Sequence, residues 1–448
     1  MKKINQGLPS KSDSTNFILM APRLSASIAG HRYWYPRSIY AELTRLQIKV
    51  TMIANSDIDK RELESLPGHV SQFQEKFQWG QDTGKMSPKK IAEEITAIVG
   101  EERLENEETI FYSYETSLAL SIALLKLSAK YPKIQFSLHL MDDGYWESLF
   151  SSKLLKFFSL RKSFAASHSY LQPRGRFTCN SDFASKRYRQ LIGIKMDAHR
   201  AFYSEQSITS TSTISPDFER IKNQQKILVF FWETDLPFLR VALKYLFEVS
   251  TEIYFKCIFQ IKSEELLNKF NNMLTEENLP KPKVIFGELS LDEYTKMITN
   301  ASAALICYTD YYHQIGGSGR LVDCLCNGTP VIVPEGGALS ELIDEEGGSF
   351  VYRIEDPKTF AAAISNFLKS EYNLGGSSNL RQELSAKSME LYSVSRLVNT
   401  LLNFHSQIGI STKSLRKSQF YMHLRLLELN WIILKTYETL KSRRRAIK

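Results

Sequence analysis

The densest run of chemistry-bearing residues lies between Tyr311 and Ile343, YYHQIGGSGRLVDCLCNGTPVIVPEGGALSELI. Gly316, Gly317, Ser318 and Gly319 precede a segment of helical spacing from Arg320 to Asn327. Amides at a helix start carry partial positive charge, and glycine puts no Cβ over them, so the arrangement suits an anion such as a phosphate. Arg320 stands beside these glycines, and a planar guanidinium suits bidentate phosphate contact. Gly328 reads as a left-handed helix cap, Thr329 and Pro330 lead into an apolar strand, Val331 to Pro334, and Gly336 and Gly337 form a second bare-backbone loop. Glu341 then sits at the start of the next helix. One glycine-rich loop is a weak signal, whereas two loops flanking one helix–strand unit are a stronger one.

A second candidate group is Asp142 and Asp143, in DDGYW after the strand Ile134 to Met141. Carboxylates at a strand's C-terminal end sit where open α/β sheets bind ligands. Neighbouring like charge raises one of the two pKa values, so either could serve as a general base. Asp and Gly also suit a turn for backbone reasons alone, and the two readings stand level. His139 alternates with apolar neighbours and reads as a core or edge histidine. The five cysteines are scattered and odd in number, which argues against a disulfide framework and for a reducing cytoplasm. Cys324 and Cys326 read as packing residues, since no second Cys/His pair lies near them, and no metal site is expected.

Alternating strands and helices must position these groups. Strand Phe17 to Ala21, a Ser/Ala-rich loop, helix Tyr33 to Leu46 and strand Lys49 to Ala54 form a βαβ opening. Strand Thr109 to Tyr114, helix Thr116 to Lys130, the strand ending near Asp142, and a strand–Ser181–helix–Gly193 element complete a first domain, 16–208. Residues 205–218 have a linker composition. A second domain, 209–410, restarts at Lys226 to Phe231 and continues the alternation, which implies parallel sheets covered on both faces. Residues 1–15 are polar and expected to be disordered, and 411–448 form a basic helical tail.

The segment NGTPVIVPEGGALSELI resembles the C-terminal half of GT-B glycosyltransferases, in particular the large retaining family four (glycosyl transferases group 1), and AGHRYWYPRSIYAELTRLQIKVTMIA resembles its N-terminal opening. The resemblance extends over nearly all of 16–405, with only the central segment motif-specific. It implies an α/β GT-B fold: two Rossmann-like domains with parallel sheets facing across a cleft, here with an added basic C-terminal helix. It further implies transfer of a sugar, hexosyl in type, from a nucleotide-sugar donor to the hydroxyl of a glycan or lipid-linked acceptor. Surface polysaccharide or glycolipid biosynthesis follows as the setting, with no cofactor and no obligatory metal. By family position, Gly30 and His31 open the first helix at the site, although His31 reads equally as a surface helix-start histidine. Asp323 takes the place of a Glu that holds the ribose. Ile315 takes the place of another Glu that contacts the donor sugar. Glu341 either helps to hold the donor or caps its helix. The family's diphosphate-gripping Gly-Arg and Lys are replaced: Phe231-Trp-Glu-Thr-Asp235 stands there, with Arg240, Lys262 and Arg320 as substitute cations, Arg320 preferred. These departures resemble a divergent branch. Retention is implied by the family, while a base at Asp142 or Asp143 would permit inversion.

Net charge +8 over 448 residues points to an anionic partner. Nucleic acid is not expected, because aromatics do not interleave with the basic residues in a stacking pattern. The N-terminus lacks an apolar signal core, and no apolar run reaches the roughly 18 residues of a membrane span. The expected location is the cytoplasm, peripheral to the inner membrane face if the basic segments touch lipid. Two segments offer that contact: SSKLLKFFSLRKSF, 151–164, and the tail, where Phe420, Leu424, Leu427, Trp431 and Leu434 recur at helical spacing before Arg443-Arg-Arg445. Packing on the protein body is the plainer reading of both. Two rival functions share the fold: an inactive scaffold subunit, favoured by the replaced Glu, Arg and Lys, and a nucleotide-sugar epimerase.

Overall fold

The computed structural model describes residues 16–21, 24, 31–56, 58, 64, 70–73, 86–140, 160–171, 174–199, 226–232, 236–249, 255–261, 263–287, 289–307, 318–344, 349–370, 377–406 and 417–446. The chain divides into two compact units. The first comprises Met1–Cys179, Ser185–His199 and Leu397–Lys448; the second comprises Asn180–Ala184 and Arg200–Arg396.

In the first unit the order is β1 (Asn16–Ala21), α1 (His31–Arg45), β2 (Lys49–Ala54), β3 (Val70–Gln72), α2 (Pro88–Val99), α3 (Glu101–Asn106), β4 (Thr109–Ser113), α4 (Leu118–Lys130), β5 (Ile134–His139), α5 (Leu160–Leu171), β6 (Gly175–Cys179), α6 (Asp182–Ile192) and β7 (Asp197–Ala198), with the first turn of α6, through Ala184, belonging to the second unit. The sheet runs β3-β2-β1-β4-β5-β6-β7, every pair parallel. Parallel strands are covered on both faces, so their side chains need not alternate. Accordingly all of β1 and β4 is buried. Serines start the helices: Ser87, Ser117 and Ser181 each accept from an amide three residues on, at Lys90, Leu120 and Ala184.

In the second unit the order is β8 (Lys226–Trp232), α7 (Leu236–Val249), β9 (Phe255–Ile261), α8 (Glu264–Glu276), β10 (Lys283–Phe286), α9 (Leu291–Thr299), β11 (Ala303–Cys307), α10 (Gly319–Cys326), β12 (Val331–Pro334), α11 (Ala338–Asp344), β13 (Ser349–Tyr352), α12 (Pro357–Lys369) and α13 (Ser377–Leu391). Its sheet, also all parallel, runs β10-β9-β8-β11-β12-β13. On one face Phe230 stacks on Phe259 at 4.3 Å within a core that includes Leu239, Phe270 and Phe360. Helices α14 (Val394–Ser406) and α15 (Lys417–Ala446) end the described chain.

Both sheets reverse their building direction once, between β1 and β4 and between β8 and β11. At such reversals two connections leave in opposite directions and open a crevice at the strands' carboxyl ends. The α/β reading of the sequence agrees with this architecture. Three strands escape sequence reading, β3, β7 and β13, because two to four residues carry too little periodicity to stand out. Helix α13 escapes as well, its few apolar residues being scattered among polar ones.

Gly328 caps α10 as expected, at φ +70°. It does so against the carbonyl of Arg381, which would lie 2.4 Å from a Cβ at this position. Arg381 itself is buried and donates to Ala301 O at 3.0 Å and Ser302 O at 2.5 Å, so α13 has little room to retreat. Gly287 has a comparable φ of +90° with open space around it. Both Gly→Ala changes incur roughly 1–2 kcal/mol of backbone strain. Gly328→Ala adds a steric cost of about 1–3 kcal/mol. Thermal unfolding should therefore show a clearly larger drop in Tm for Gly328→Ala than for Gly287→Ala; equal drops would contradict the close approach.

Candidate functional site

The start of α10 lies just beyond β11, beside the reversal in the second sheet. Ser318 is buried, and its hydroxyl accepts from Leu321 N at 3.1 Å, which fixes the first turn. Gly319 follows, and a Cβ there would meet no heavy atom within 4 Å. A side chain at Gly319 would thus find open space, so this side of the first turn is not packed over by described neighbours. Gly316 and Gly317 lie outside the described residues.

Arg320 and Asp323 stand on the same helix, one turn apart, and both are partly exposed. The Arg320 guanidinium lies over the ring of Phe231, 5.2 Å from its centroid. Phe231 belongs to the face of β8 opposite to Phe230, and its ring also meets Tyr294 of α9 at 6.1 Å. The Tyr294 hydroxyl donates to Asp323 Oδ2 at 3.2 Å. Helix α9 begins with a reciprocal capping box, Ser290 with Glu293, which sets where Tyr294 points. A cation, a carboxylate, a phenol and an aromatic platform are thereby gathered at the first turns of α10. Neither Phe231 nor Tyr294 carries a site role in the sequence reading. The Ser290-x-x-Glu293 signature locates the helix that carries Tyr294, but no sequence signal pairs it with Asp323.

Cys324 and Cys326 are buried in α10 and free of disulfides, in keeping with their reading as packing residues. Burial, and next the charge of Asp323, pushes the Cys324 thiol well up, with Arg320 acting in the opposite sense. It remains a neutral thiol and not a nucleophile. Of the other candidate cations, Arg240 pairs with Glu277 at 2.6 Å and Glu276 at 2.8 Å, and Lys262 lies outside the described residues.

The second glycine loop precedes α11, and Gly336 adopts φ +79° with open space about it. Glu341 stands in the first turn of α11. Its carboxylate accepts from Asp182 N at 2.9 Å and Phe183 N at 2.6 Å, the opening amides of α6. Negative charge at a helix start is stabilising. Glu341 thus caps a helix remote in sequence.

In the first unit His31 opens α1, while Gly30, Asp142 and Asp143 lie outside the described residues. His139 ends β5, is buried, and has Nδ1 2.9 Å from Thr178 Oγ1. His199 and His405 are also buried, and His405 Nδ1 lies 2.7 Å from Gln135 Oε1. Burial pulls His199 down to about 3, with His139 and Arg176 adding to the effect. Burial pulls His405 to about 3 as well, helped by Arg176 and His199. His168 is drawn down to about 4 by burial, opposed by its contact with the Gly175 carbonyl.

No protein-family model and no curated protein sequence matches this chain. Solved structures do. A glycosyltransferase from Rickettsia africae ESF-5 superposes with TM-score 0.60 at 10% identity, covering 89% of this chain and all of that one. Anabaena Alr3699/HepE in complex with UDP and glucose gives TM-score 0.57 at 13% identity, over 88% of this chain and all of that one. WaaG, a glycosyltransferase involved in lipopolysaccharide biosynthesis, gives 0.53 at 11%, again over 88% and all of that chain. The chain has the GT-B fold, built from two parallel α/β sheets with a C-terminal helix.

The neutral histidines set an acid limit on stability. An unfolded histidine titrates near 6.5. Below that pH the unfolded chain takes up protons that the folded chain refuses until pH 3 to 4. Stability therefore falls as pH drops from about 6.5, by up to about 1.4 kcal/mol per pH unit for each such histidine. Tm at pH 5 should lie well below Tm at pH 7.5, and His405→Gln should narrow that gap. A gap unchanged by the substitution would remove His405 from the explanation.

Proposed function

We propose that the chain transfers a glycosyl group from a nucleotide-sugar to an acceptor hydroxyl, with the donor held by the second unit and the acceptor by the first. The observation that carries this reading is the start of α10, where Gly319 leaves space beside the first turn and Arg320 lies over Phe231 of β8. Breaking the bond from the sugar carbon to the diphosphate leaves the electron pair on a phosphate oxygen. Preorganised donors aimed at that charge lower the barrier most. The amides near Ser318 and Gly319, the Gly316–Gly317 backbone and the Arg320 guanidinium are these donors. Asp323, steadied by Tyr294, accepts from the ribose hydroxyls. Its side chain and Arg320 lie one turn apart, which suits ribose and diphosphate as adjoining parts of one ligand.

The new bond forms between the acceptor oxygen and the sugar carbon, and the acceptor proton must leave. Asp142 or Asp143 takes it in an inverting reaction; retention, the habit of family four, needs no such base in that place. Gly30 and His31, at the start of α1, complete the site in this reading. Glu341 holds the Gly336–Gly337 loop through its contacts with α6, and the loop backbone meets the donor. The donor is a hexosyl nucleotide, in line with the UDP and glucose bound to the Anabaena neighbour. The acceptor is a glycan or lipid-linked saccharide of a surface polysaccharide or glycolipid, in line with the lipopolysaccharide role of WaaG. The reaction would proceed in the cytoplasm, at the membrane face. With Arg320 and helix amides carrying the diphosphate charge, no divalent metal is obligatory.

A second reading is a GT-B scaffold that binds a partner and does not turn over. It draws on Arg240, which is tied to Glu276 and Glu277 and leaves Arg320 to face the diphosphate without it.

A thermal-shift panel of nucleotide-sugars, beginning with UDP-glucose, separates the two. A transferase gains several degrees with one donor and releases its nucleoside diphosphate slowly in the presence of water; a scaffold does neither. In calorimetric titration, Arg320→Ala should weaken the preferred nucleotide at least about tenfold, the loss expected for one charge-assisted contact. Asp323→Asn should weaken the nucleoside as well as the nucleotide-sugar. Undiminished affinity in Arg320→Ala would remove the diphosphate assignment. Turnover should survive EDTA; its abolition would mean that a metal shares the diphosphate charge.

A further inference from the structure

Helix α15, 30 residues long, presents two apolar faces. Phe420, Leu424, Leu427 and Trp431 are buried, and the helix packs on α5 and α4. Phe420 stacks on Tyr170 at 4.3 Å, and Glu428 pairs with Lys126. The stripe that reads as amphipathic in the sequence is thus consumed by packing. The opposite side carries a second stripe: Tyr421, Met422, Leu429, Ile432, Tyr437 and Leu440, between 41% and 54% exposed. Six of the nine large apolar side chains exposed among the described residues lie on this one helix. Met422, Leu429, Ile432 and Leu440 are spaced by seven, three and eight residues, which keeps them on one side of an α-helix. A contiguous apolar strip of this kind marks an interaction surface.

The charge around the strip identifies its occupant. Residues 411–448 hold ten Lys and Arg against two Glu, and one of those glutamates, Glu428, is already paired with Lys126. Arg425, exposed, falls among the strip residues, and Lys435 lies against the Trp431 ring at 4.9 Å. The sequence of the last turns adds Lys441 and Arg443 to Arg445. The underlying helix α5 contributes exposed Arg161 and Lys162. Identical copies of so basic a segment repel one another, which disfavours a second copy of this chain. An apolar strip in a basic field instead matches a bilayer surface with anionic headgroups, where apolar side chains enter the acyl boundary and cations meet phosphate. No described helix is long and apolar enough to cross a membrane, so the helix would lie along the surface.

We infer that the outward face of α15, with Met422, Leu429, Ile432 and Leu440 as its apolar contacts, is a docking surface for an anionic lipid bilayer, while the inward face holds the helix on the first unit. This docking does not depend on the reaction proposed above. Because the attraction combines buried area with surface charge, it must weaken in salt and on neutral lipid.

Flotation of the full-length protein with unilamellar vesicles tests this. The protein should float with phosphatidylcholine–phosphatidylglycerol vesicles at seven to three and not with pure phosphatidylcholine. Binding should fall at least tenfold between 0.1 and 0.5 M NaCl. The double variant Met422→Glu/Ile432→Glu, altered only at exposed positions, should lose at least tenfold in vesicle affinity with Tm and nucleotide binding unchanged. No binding of the parent to anionic vesicles overturns the inference, as does undiminished binding of the variant. Light scattering of the same two proteins tests the competing occupant: a parent dimer that the variant converts to monomer, with vesicle binding unaltered, would assign the face to a second copy.

Discussion

The placement of one short helix against one strand end governs the second unit. The Arg320 guanidinium lies over Phe231 of β8, beside the single reversal in the sheet between β8 and β11. Ser318 seals the first turn and Gly328 the last, each at a position where a different residue would alter the helix ends. The eight residues of α10 present a buried apolar side to β11 and β12 and an outer side holding Arg320 and Asp323. The chemistry proposed for the protein is a property of that outer side. The rigidity that chemistry needs comes from the inner one.

A similar arrangement recurs around the site. Tyr294 and Phe231 each touch a charged neighbour and a ring, so Arg320 and Asp323 are each braced by an aromatic side chain. Glu341 engages the amides of α6 with both carboxylate oxygens. A carboxylate so engaged is an anchor, and it gives the glycine loop before it a fixed point.

The first unit follows a different rule. It buries three histidines whose charged forms are disfavoured by desolvation, and in two of them, His199 and His405, by Arg176 as well. Neutral imidazoles fill space and accept or donate single hydrogen bonds, as His168 does with the Gly175 carbonyl. Their burial favours a compact unit at neutral pH and lowers its tolerance of acid. Helix α15 is attached to that unit by Phe420, Leu424, Leu427 and Trp431, which leaves its second apolar face turned away. With apolar residues on both sides, the helix has almost no net directionality in its hydrophobicity, although each side is consistent by itself.

Much of this was legible in the chain. The α/β alternation, the helix bounded by Ser318 and Gly328, the Ser181–Gly193 element and the packing role of Cys324 and Cys326 all follow from local patterns: glycine tolerance of positive φ, serine capping, and apolar runs of strand length. Such features depend on residues within a few positions of one another, which a sequence displays directly. What the chain could not display is pairing across long separations. Tyr294 meets Asp323 across 29 residues, Glu341 meets Asp182 across 159, and Lys126 meets Glu428 across 302. The stripe of Phe420, Leu424, Leu427 and Trp431 was legible in the sequence and is the face that packs, while the second apolar face of α15 was not, because its exposure depends on contacts with α5 and α4. Local propensity settles what an element is; the order of strands in the sheet, decided by burial of the whole chain at once, settles what that element faces.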